Sequence, residues 1–447
     1  MKPRELAEHM CRTLRQAGHQ AYFVGGCVRD LLLAREPADY DVATDASPVR
    51  VQELFPQSLA VGAQFGVVIV FDENAEVEVA TFRSDVGYSD GRHPDGVIYA
   101  KSPEEDVQRR DFTINGLLLD PDKGQVLDFV GGRADLAAKT IRAIGEPARR
   151  FEEDKLRMMR AVRFAARFDY TIEPKTFAAI GERAARIHQV STERLRDECT
   201  KVLTEGAARR GFELLDKTLL LEHVLPEIAR MKGVEQPPQF HPEGDVWIHT
   251  RLMLEQLPAG CSATLGWGVL LHDVGKPPTF KPPCGPQGRI RFDGHVQVGT
   301  RMAEQICERL HFSNEDKAQI AALVEHHLRF KDVFQMRVST LKRFVRLPSF
   351  EEHLELHRLD CLASHRNLDA YLFVRRFLEE TPPEQVRPPR VLTGDDLMEL
   401  GFPPGPLYKE ILVAVENSQL EGGIRDRAQA LEFVKKAFSS RISRARI

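Results

Sequence analysis

The chain has 447 residues, of which 42% are hydrophobic and 29% are charged, and its formal net charge is −4 at pH 7. These values are typical of a water-soluble protein with two or more globular domains. No stretch approaches the roughly 18 consecutive apolar residues that a membrane span needs, and the N-terminal residues lack an apolar run. We therefore expect neither a membrane span nor a signal peptide.

The cysteines are scattered along the chain and none forms a C-x-x-C pair. The seven positions are 11, 27, 199, 261, 284, 307 and 361. This pattern indicates reduced thiols rather than a disulfide framework or a cysteine zinc site, so we expect no disulfide partner and a cytoplasmic location.

The first motif in chain order combines a glycine turn with an acidic strand. Residues 21–24 are a short apolar strand, Gly25-Gly26 breaks it, residues 28–33 are typical of a helix, and residues 40–43 predict a second strand. A helix N-terminus placed beside acidic residues offers free N–H groups and a positive dipole to phosphate.

The acidic strand carries Asp39 and Asp41. Residues two apart in a strand point to one face, so the two carboxylates could share Mg²⁺ together with substrate phosphate oxygens. Taken alone, an Asp-x-Asp pair is also common in turns. With the glycine turn, it favours a nucleotidyl transferase that uses metal ions in phosphoryl-type transfer.

Two later blocks extend the pattern, at residues 109–115 (RRDFTIN) and 153–164 (EDKLRMMRAVRF). With these three blocks in this order, the chain resembles the class II tRNA nucleotidyltransferases and bacterial poly(A) polymerases of the polymerase-β-like superfamily. The resemblance covers nearly the whole chain. It implies an α+β fold, in which a nucleotidyltransferase head with a small, mixed, largely antiparallel sheet precedes an all-helical neck, body and tail.

The resemblance also implies roles for individual residues. It assigns Gly26, Arg29 and Arg110 to the nucleotide and Asp39 and Asp41 to Mg²⁺. Sites of this superfamily generally have a third carboxylate on a neighbouring strand. In the apolar strand at 77–82, the candidate for this carboxylate is Glu78. Glu76 precedes it by two residues, would point to the same face of the strand, and stays open as an alternative.

A basic helix is predicted across the third block, and its polar residues recur every three or four positions. They are Asp154, Arg157, Arg160, Arg163 and Arg167. Asp154 can accept and Arg157 can donate hydrogen bonds, which matches the Watson–Crick edges of cytosine and adenine but not those of uracil and guanine. The pair would thus select CTP and ATP without a template, as the resemblance also implies, and Arg160 and Arg163 would bind nucleotide or RNA phosphates.

The C-terminal half contains a second candidate site, which resembles the HD phosphohydrolase superfamily through a His…His-Asp…Asp pattern. Its candidate ligands are His249, His272, Asp273, His295, His327 and Asp360. Histidine and carboxylate ligands suit Ni²⁺, Mn²⁺, Co²⁺ or Fe²⁺ better than Mg²⁺. The alternative is a scaffold that docks tRNA and hydrolyses nothing.

The product is less sharply defined by the sequence. Residues 61–68 lack the basic run that poly(A) polymerases tend to show here, and a Gly/Asp/Pro-rich loop, expected to be long and mobile, occupies residues 84–103. Both features favour addition of C, C and A to tRNA. Addition of A alone, poly(A) synthesis, and a phosphohydrolase whose head only binds RNA are the alternatives.

We expect four regions: a nucleotidyltransferase head (1–135), a helical neck that binds nucleotide and RNA (136–205), a helical body with the HD domain (206–380) and a helical tail (381–447). Residues 139–167 include nine basic and four acidic residues, an excess of positive charge that fits RNA bound along one surface.

Overall fold

The computed structural model describes residues 1–61, 66–86, 96–239, 241–283 and 288–442. It divides into two compact units. Unit 1 comprises residues 1–232, 257–266 and 307–312, and unit 2 comprises residues 233–256, 267–306 and 313–447.

The N-terminal part of unit 1 alternates helices and strands. In chain order these elements are α1 Pro3–Gln16, β1 Ala21–Val24, α2 Gly26–Leu32, β2 Asp41–Thr44, α3 Pro48–Leu54, β3 Ser58–Ala60, β4 Val67–Asp72, β5 Ala75–Thr81, β6 Arg83–Val86, β7 Gly96–Tyr99, α4 Pro103–Gln108, β8 Leu117–Asp120, β9 Gln125–Asp128, α5 Gly132–Ala137 and β10 Thr140–Ile141. A 3₁₀ turn at Thr113–Asn115 precedes β8.

Seven of these strands form one mixed sheet in the order β3-β4-β5-β2-β1-β8-β9. All neighbours are antiparallel except β2 and β5, which run parallel. The predicted head, with a small, largely antiparallel mixed sheet, is therefore confirmed.

The side chains of β5 alternate as expected for a strand with one buried face. Val77, Val79 and Thr81 are buried, while Glu76 and Glu78 are exposed. Since β2 pairs with β5, this alternation brings a glutamate beside the acidic start of β2.

The stretch at residues 84–103 differs from the long loop that its composition predicts. Strands β6 and β7 pair as an antiparallel hairpin, with Arg83 opposite Tyr99. Residues 87–95 between them lie outside the described residues. So do residues 62–65, which belong to the segment 61–68 whose sequence favours CCA addition over poly(A) synthesis.

The rest of unit 1 is mostly helical. Its elements are α6 Pro147–Glu153, α7 Leu156–Phe168, β11 Thr171–Ile172, α8 Pro174–Arg183, a 3₁₀ helix at Ala184–Gln189, α9 Thr192–Thr204, α10 Ala208–Lys217, α11 Leu220–Val224 and α12 Pro226–Ala229. Helix α7 packs against α9 and α10. Met158, Met159 and Val162, which fall between the predicted polar positions of this helix, are fully buried there.

Unit 2 carries most of the remaining helices, and α14 and α16 begin or end in residues of unit 1. The elements are α13 Val246–Glu255, α14 Ala263–Leu271, α15 Lys276–Thr279, β12 Phe280–Lys281, β13 Arg291–Phe292, α16 His295–Arg309, α17 Asn314–His326, a 3₁₀ helix at His327–Gln335, α18 Val338–Phe344, α19 Phe350–Ala363, α20 Asp369–Glu380, α21 Pro383–Val386, α22 Gly394–Glu399, α23 Pro406–Leu420 and α24 Arg427–Ile442. Within the ranges described, no helix of the protein combines the length and apolarity needed to cross a membrane.

Cys284 lies outside the described residues, and the other six cysteines are free thiols. Burial raises the pKa of Cys11 and Cys199 to about 12, so neither thiol is ionised near neutral pH.

Candidate active site

A polar cleft of about 470 Å³ opens in unit 1 between the glycine turn, the RRD block and the start of α7. Its lining residues are Gly25, Gly26, Arg29, Asp41, Arg109, Arg110, Asp111, Asn115, Asp154, Leu156, Arg157, Arg160, Phe164 and Arg194. Seven residues predicted from sequence thus share one cleft: Gly26, Arg29, Asp41, Arg110, Asp154, Arg157 and Arg160.

The glycine turn fits the close approach of a phosphate chain. Gly25 has a φ of +78°, a conformation that a side chain would strain, and its N–H donates to the Leu117 carbonyl at 3.1 Å. A Cβ on Gly25 would lie 3.3 Å from Nη1 of Arg110. Because Asp106 accepts the Nε and Nη2 bonds of Arg110, the guanidinium is held beside the turn. Gly25 thus leaves room for a ligand beside the backbone, and Arg110 supplies a positive charge next to that space.

The carboxylates meet at the edge between β2 and β5. Asp41 and Glu78 are register partners of these two parallel strands, so their side chains point to the same side of the sheet. Burial raises the pKa of Asp41, the charges of Glu78 and Asp39 act in the same direction, and Arg110 opposes them, with the result that the pKa is about 6.

Asp39 is placed differently from its prediction. It lies two residues before β2 begins and is exposed, so the two aspartates do not both belong to the strand. Its charge nevertheless acts on Asp41. Glu76 pairs with Phe71 at the far end of β5, beyond the residues that pair with β2, which favours Glu78 as the third carboxylate.

Asp154 also differs from its prediction, since it ends α6 in an extended conformation and does not belong to α7. One carboxylate oxygen accepts from the backbone N–H of Leu156 at 3.0 Å, and the other accepts from Arg194 at 2.8 Å. The carboxylate is therefore fixed at the N-terminus of α7, one helical turn before Arg157.

Arg157 is held from two sides. Its Nη1 donates to Glu153 at 2.8 Å and its Nη2 donates to the Arg109 carbonyl at 3.0 Å. The RRD block and the start of α7 are thereby joined, and the predicted base-reading pair lines the same cleft as the glycine turn.

Arg160 and Arg29 complete the wall of the cleft. Arg160 donates to Asp111 from Nε at 2.8 Å, and Asp111 also accepts from Asn115 at 3.1 Å. Burial alone would raise the pKa of Asp111, but Arg160 and Asn115 outweigh it and the pKa falls to about 2. Arg29 donates to Asn115 at 2.6 Å and lies over the Phe168 ring, 4.6 Å from its centroid.

Arg163 does not line the cleft. It is buried, with its Nε bonded to Glu198 at 2.7 Å and its Nη1 3.3 Å from Glu205. Its spacing within α7 matched that of Arg157 and Arg160, but it faces α9 rather than the cleft. Its placement favours a structural role over the predicted binding of phosphate.

Several lining residues were not assigned from the sequence, namely Arg109, Asp111, Asn115, Phe164 and Arg194. The RRDFTIN block contains three of them, although the resemblance assigns a role only to Arg110 in that block. Arg194 comes from α9, 40 residues after Asp154, and no local pattern links the two.

In unit 2, the predicted HD residues converge from helices far apart in sequence. Among the described residues, His249, His272 and Asp360 form one group of possible metal ligands, and Asp273, His295 and His327 form another. Nε2 of His249 lies 3.1 Å from Asp360, and Nε2 of His272 lies 3.1 Å from Asp273.

The histidines of these groups are arranged as ligands. Nδ1 of His272, His295 and His327 bonds the main-chain carbonyls of Val269, Phe292 and Val324 at 2.8, 2.9 and 2.6 Å. This fixes Nδ1 as the protonated nitrogen and leaves the Nε2 lone pair for a metal. Nε2 of His295 and of His327 is buried without a hydrogen-bond partner in the described part of the chain, and Nε2 of His272 faces another acceptor, Asp273, at 3.1 Å. The residues therefore fit a metal site.

His241 and Glu243 extend this site and were missed in the sequence. Glu243 accepts from Nδ1 of both His249 and His241, at 2.7 and 2.9 Å. Burial alone would lower the pKa of His249, but Asp360 and Glu243 raise it to about 9. A cavity of about 800 Å³ opens beside His241, His295 and Asp360. Its lining also includes Lys276, Arg289, Arg291, Asp293 and Lys331.

Comparison with known proteins bears on the whole chain. The poly(A) polymerase head-domain family matches residues 21–142, the family described as a probable RNA and SrmB-binding site of polymerase A matches residues 169–232, and the HD domain family matches residues 245–354. The CCA-adding enzyme of Levilactobacillus brevis is 32% identical over 444 residues, which cover 96% of each protein.

Two further relatives are informative. The CCA-adding enzyme of Bacillus subtilis is 45% identical over 213 residues, 48% of this chain and 53% of that protein. The crystal structure of the Bacillus stearothermophilus CCA-adding enzyme in complex with CTP superimposes with a TM-score of 0.76 over 99% of each chain, at 26% identity.

The head fold and its polar cleft define the chain as a nucleotidyltransferase. Its end-to-end likeness to the Levilactobacillus brevis protein goes further, and the chain belongs to the family of CCA-adding enzymes.

Proposed function

We propose that this protein adds C, C and A to the 3′ end of tRNA, using CTP, ATP and Mg²⁺ and no nucleic-acid template. The observation that carries the proposal is the shared cleft of unit 1. It combines a glycine turn and an arginine suited to triphosphate, a carboxylate paired across two strands, and an Asp/Arg pair suited to a base edge. The likeness to enzymes of this name supports the same activity.

In this proposal, the reaction begins when the tRNA 3′-hydroxyl oxygen attacks the α-phosphorus of the nucleotide. A new phosphodiester bond forms, the bond to the β-phosphate oxygen breaks, and pyrophosphate leaves while the hydroxyl loses its proton. Asp39, Asp41 and Glu78 would hold Mg²⁺, which lowers the pKa of the hydroxyl and neutralises charge on the phosphates. Gly26, Arg29 and Arg110 would bind the triphosphate, and Arg110 already faces the turn at Gly25.

Base choice would follow from hydrogen-bond polarity. Asp154 accepts from the amino group of cytosine or adenine, and Arg157 donates to the adjacent ring nitrogen. Uracil and guanine present the opposite order, so binding them leaves buried groups unpaired. The contacts of Asp154 with Arg194 and of Arg157 with Glu153 hold the two groups in place before a nucleotide binds.

Regional roles follow the division into head (1–135), neck (136–205), body (206–380) and tail (381–447), which stays a proposal. The tail would hold the far side of the tRNA. Arg160, which lies in the neck, would bind phosphates of the nucleotide or of the RNA. The reduced thiols at the six described cysteines fit work in the cytoplasm.

The proposal is tested with a tRNA transcript that ends before CCA, incubated with Mg²⁺ and labelled CTP and ATP. We expect addition of three nucleotides by the wild type and none by Asp41→Asn. Asp45→Asn is the matched control, because Asp45 follows β2 but is not part of the cleft lining. Full activity of Asp41→Asn, or no addition by the wild type, would overturn the assignment.

The unpartnered Nε2 atoms in unit 2 favour a second function, a metal-dependent phosphohydrolase. His249, His272, Asp273, His295, His327 and Asp360 would hold a transition-metal ion such as Ni²⁺, Mn²⁺, Co²⁺ or Fe²⁺. The ion would supply Lewis-acid activation of water and phosphate. Hydrolysis of 2′,3′-cyclic nucleotides with added Ni²⁺ or Mn²⁺, lost in Asp273→Asn, is the expected result. No turnover with either metal would exclude this activity.

A further inference from the structure

A buried aspartate lies behind the wall of the cleft in unit 1. Asp106, in α4, is 0% exposed and is not among the described residues that line the cleft. Its carboxylate accepts hydrogen bonds from two arginines that do line the cleft, Arg109 and Arg110. A negative charge behind the wall is therefore in direct contact with the positive charges that face a ligand.

Each of the two arginines is held through two nitrogens. Oδ1 of Asp106 lies 2.9 Å from Nε and 2.7 Å from Nη2 of Arg109, and Oδ2 lies 3.3 Å from Nε and 3.0 Å from Nη2 of Arg110. Oδ1 also accepts from the backbone N–H of Arg83, at the start of β6, at 3.4 Å. These contacts occupy the lone pairs that a carboxylate offers. Asp106 is therefore suited to anchor other side chains rather than to bind a ligand itself.

The bonds fix which end of Arg110 faces the cleft. They use the edge of the guanidinium formed by Nε and Nη2, and the remaining nitrogen, Nη1, lies 3.3 Å from the place where a Cβ of Gly25 would be. Because the donors of arginine form a rigid planar fork, fixing one edge also fixes the direction of the others. Arg110 is thus oriented before a ligand binds, which lowers the entropy that binding would cost.

The shared carboxylate also sets the charge of the wall. Burial alone would raise the pKa of Asp106, but Arg110 and Arg109 outweigh it and hold the pKa below its ordinary value. The carboxylate is therefore ionised at neutral pH, and two guanidinium groups around it leave one net positive charge on the cleft wall. Without the carboxylate, the two cations would repel each other and lose this common orientation.

We propose that Asp106 is a positioning residue for nucleotide binding, which orients Arg109 and Arg110 towards the phosphates of CTP and ATP. The inference rests on the CCA addition proposed above and deepens it. Since the two arginines would contact phosphate and not the base, loss of Asp106 should weaken the binding of CTP and ATP equally. An ion pair that only stabilised the head would change the free energy of unfolding and leave the affinity for nucleotide unchanged.

The experiment uses isothermal titration calorimetry to measure how the full chain binds tripolyphosphate, which has the phosphates of a nucleotide and no base. Asp106→Asn keeps the shape of the side chain and removes its charge. We expect it to raise Kd by about tenfold, as for the loss of one hydrogen bond to a charged group. KM for CTP and KM for ATP should rise by the same factor, with little change in kcat.

A second variant tests whether Asp106 acts through Arg110. Combining Asp106→Asn with Arg110→Gln should raise Kd by less than the product of the two separate effects. Arg110→Lys keeps the positive charge but cannot form both bonds to Asp106, so it should also weaken tripolyphosphate binding by about tenfold. This last variant tests the same contact even if Asp106→Asn does not fold.

Asp120→Asn is the matched control. Asp120 is also a buried aspartate of the head, at 7% exposure, and it accepts from Arg15 at 2.8 Å, and neither residue is among the described residues of the cleft lining. The control should keep the wild-type Kd and KM, and circular dichroism verifies that each variant is folded.

Wild-type affinity for tripolyphosphate in folded Asp106→Asn or in Arg110→Lys would overturn the inference, as would no binding of tripolyphosphate by the wild type. A different result would separate the inference from the activity on which it rests. If the wild type binds tripolyphosphate more tightly than Asp106→Asn but adds no nucleotide to tRNA, the proposed activity is rejected and the role of Asp106 in binding phosphates is kept.

Discussion

Asp41 and Glu78 stand opposite each other on the parallel strands β2 and β5. Burial and the charge of Glu78 raise the pKa of Asp41 to about 6, so two close carboxylates repel each other in the absence of a cation. A divalent ion relieves that repulsion. The register of the two strands thus places two carboxylates side by side, which supports the Mg²⁺ site proposed here.

The first prediction separates Glu78 from Glu76. Glu78→Gln should lower kcat for nucleotide addition by a factor on the order of 10² or more, because it removes a charge at the site of phosphoryl transfer. Glu76→Gln is the control, two residues earlier on the same exposed face, and should act like the wild type. Equal losses in both variants would remove Glu78 from the metal site.

The second prediction concerns the choice of base. Asp154→Ala should reduce the preference for CTP and ATP over UTP and GTP from about 100-fold or more to within about tenfold, since it removes the acceptor for the amino group. Asp197→Ala serves as the control, because Asp197 is an exposed residue of α9. Steady-state rates with each single nucleotide give the ratio, and a preserved preference in Asp154→Ala would disprove the base-reading role.

The third prediction distinguishes Arg163 from Arg160. Arg163→Ala leaves the buried Glu198 without its partner, so the free energy of unfolding should fall by about 3–5 kcal/mol. The KM for CTP should stay close to the wild-type value. Arg160→Ala should instead raise KM or lower kcat. Denaturant titrations and initial rates measure both effects, and a raised KM with unchanged stability in Arg163→Ala would restore the phosphate-binding role.

The fourth prediction is a loss of stability in acid. Burial lowers the pKa of His353 to about 4, and neither of its ring nitrogens has a partner within the described residues. The unfolded chain then binds a proton more readily than the folded one, so stability falls as pH decreases from about 6.5 to 4. This shift corresponds to about 3 kcal/mol.

His353→Leu should flatten this dependence in metal-free protein, measured by urea denaturation at a series of pH values. The exposed His365, changed to Gln, is the control and should keep the wild-type slope. An unchanged slope in His353→Leu would mean that His353 is not the group responsible.

The sequence predicted correctly those features that depend only on neighbouring residues in the chain. The strand, glycine turn and helix at residues 21–32 were predicted from apolar runs and breaks, and Glu78 was chosen as an acidic residue in an apolar strand. The register that places Glu78 beside Asp41 supports that choice.

Long-range contacts account for what the sequence did not predict. Arg163 has the same helical spacing as Arg160, and only the packing of α9 on α7 decides that it is covered. Arg194 reaches Asp154 across 40 residues of chain. The hairpin of β6 and β7 was hidden by glycine and proline in the intervening segment, since composition indicates turns but not the pairing of their flanks.

The most direct test of the central claim uses three tRNA transcripts, ending before CCA, after C and after CC. Each is incubated with the purified protein, Mg²⁺ and labelled CTP, ATP or both, and the products are resolved to single nucleotides. We predict three additions to the shortest transcript with both nucleotides, two with CTP alone, and one A on the transcript that ends in CC. Addition of A only to that last transcript, a long A ladder, or no addition to any of them would contradict the account.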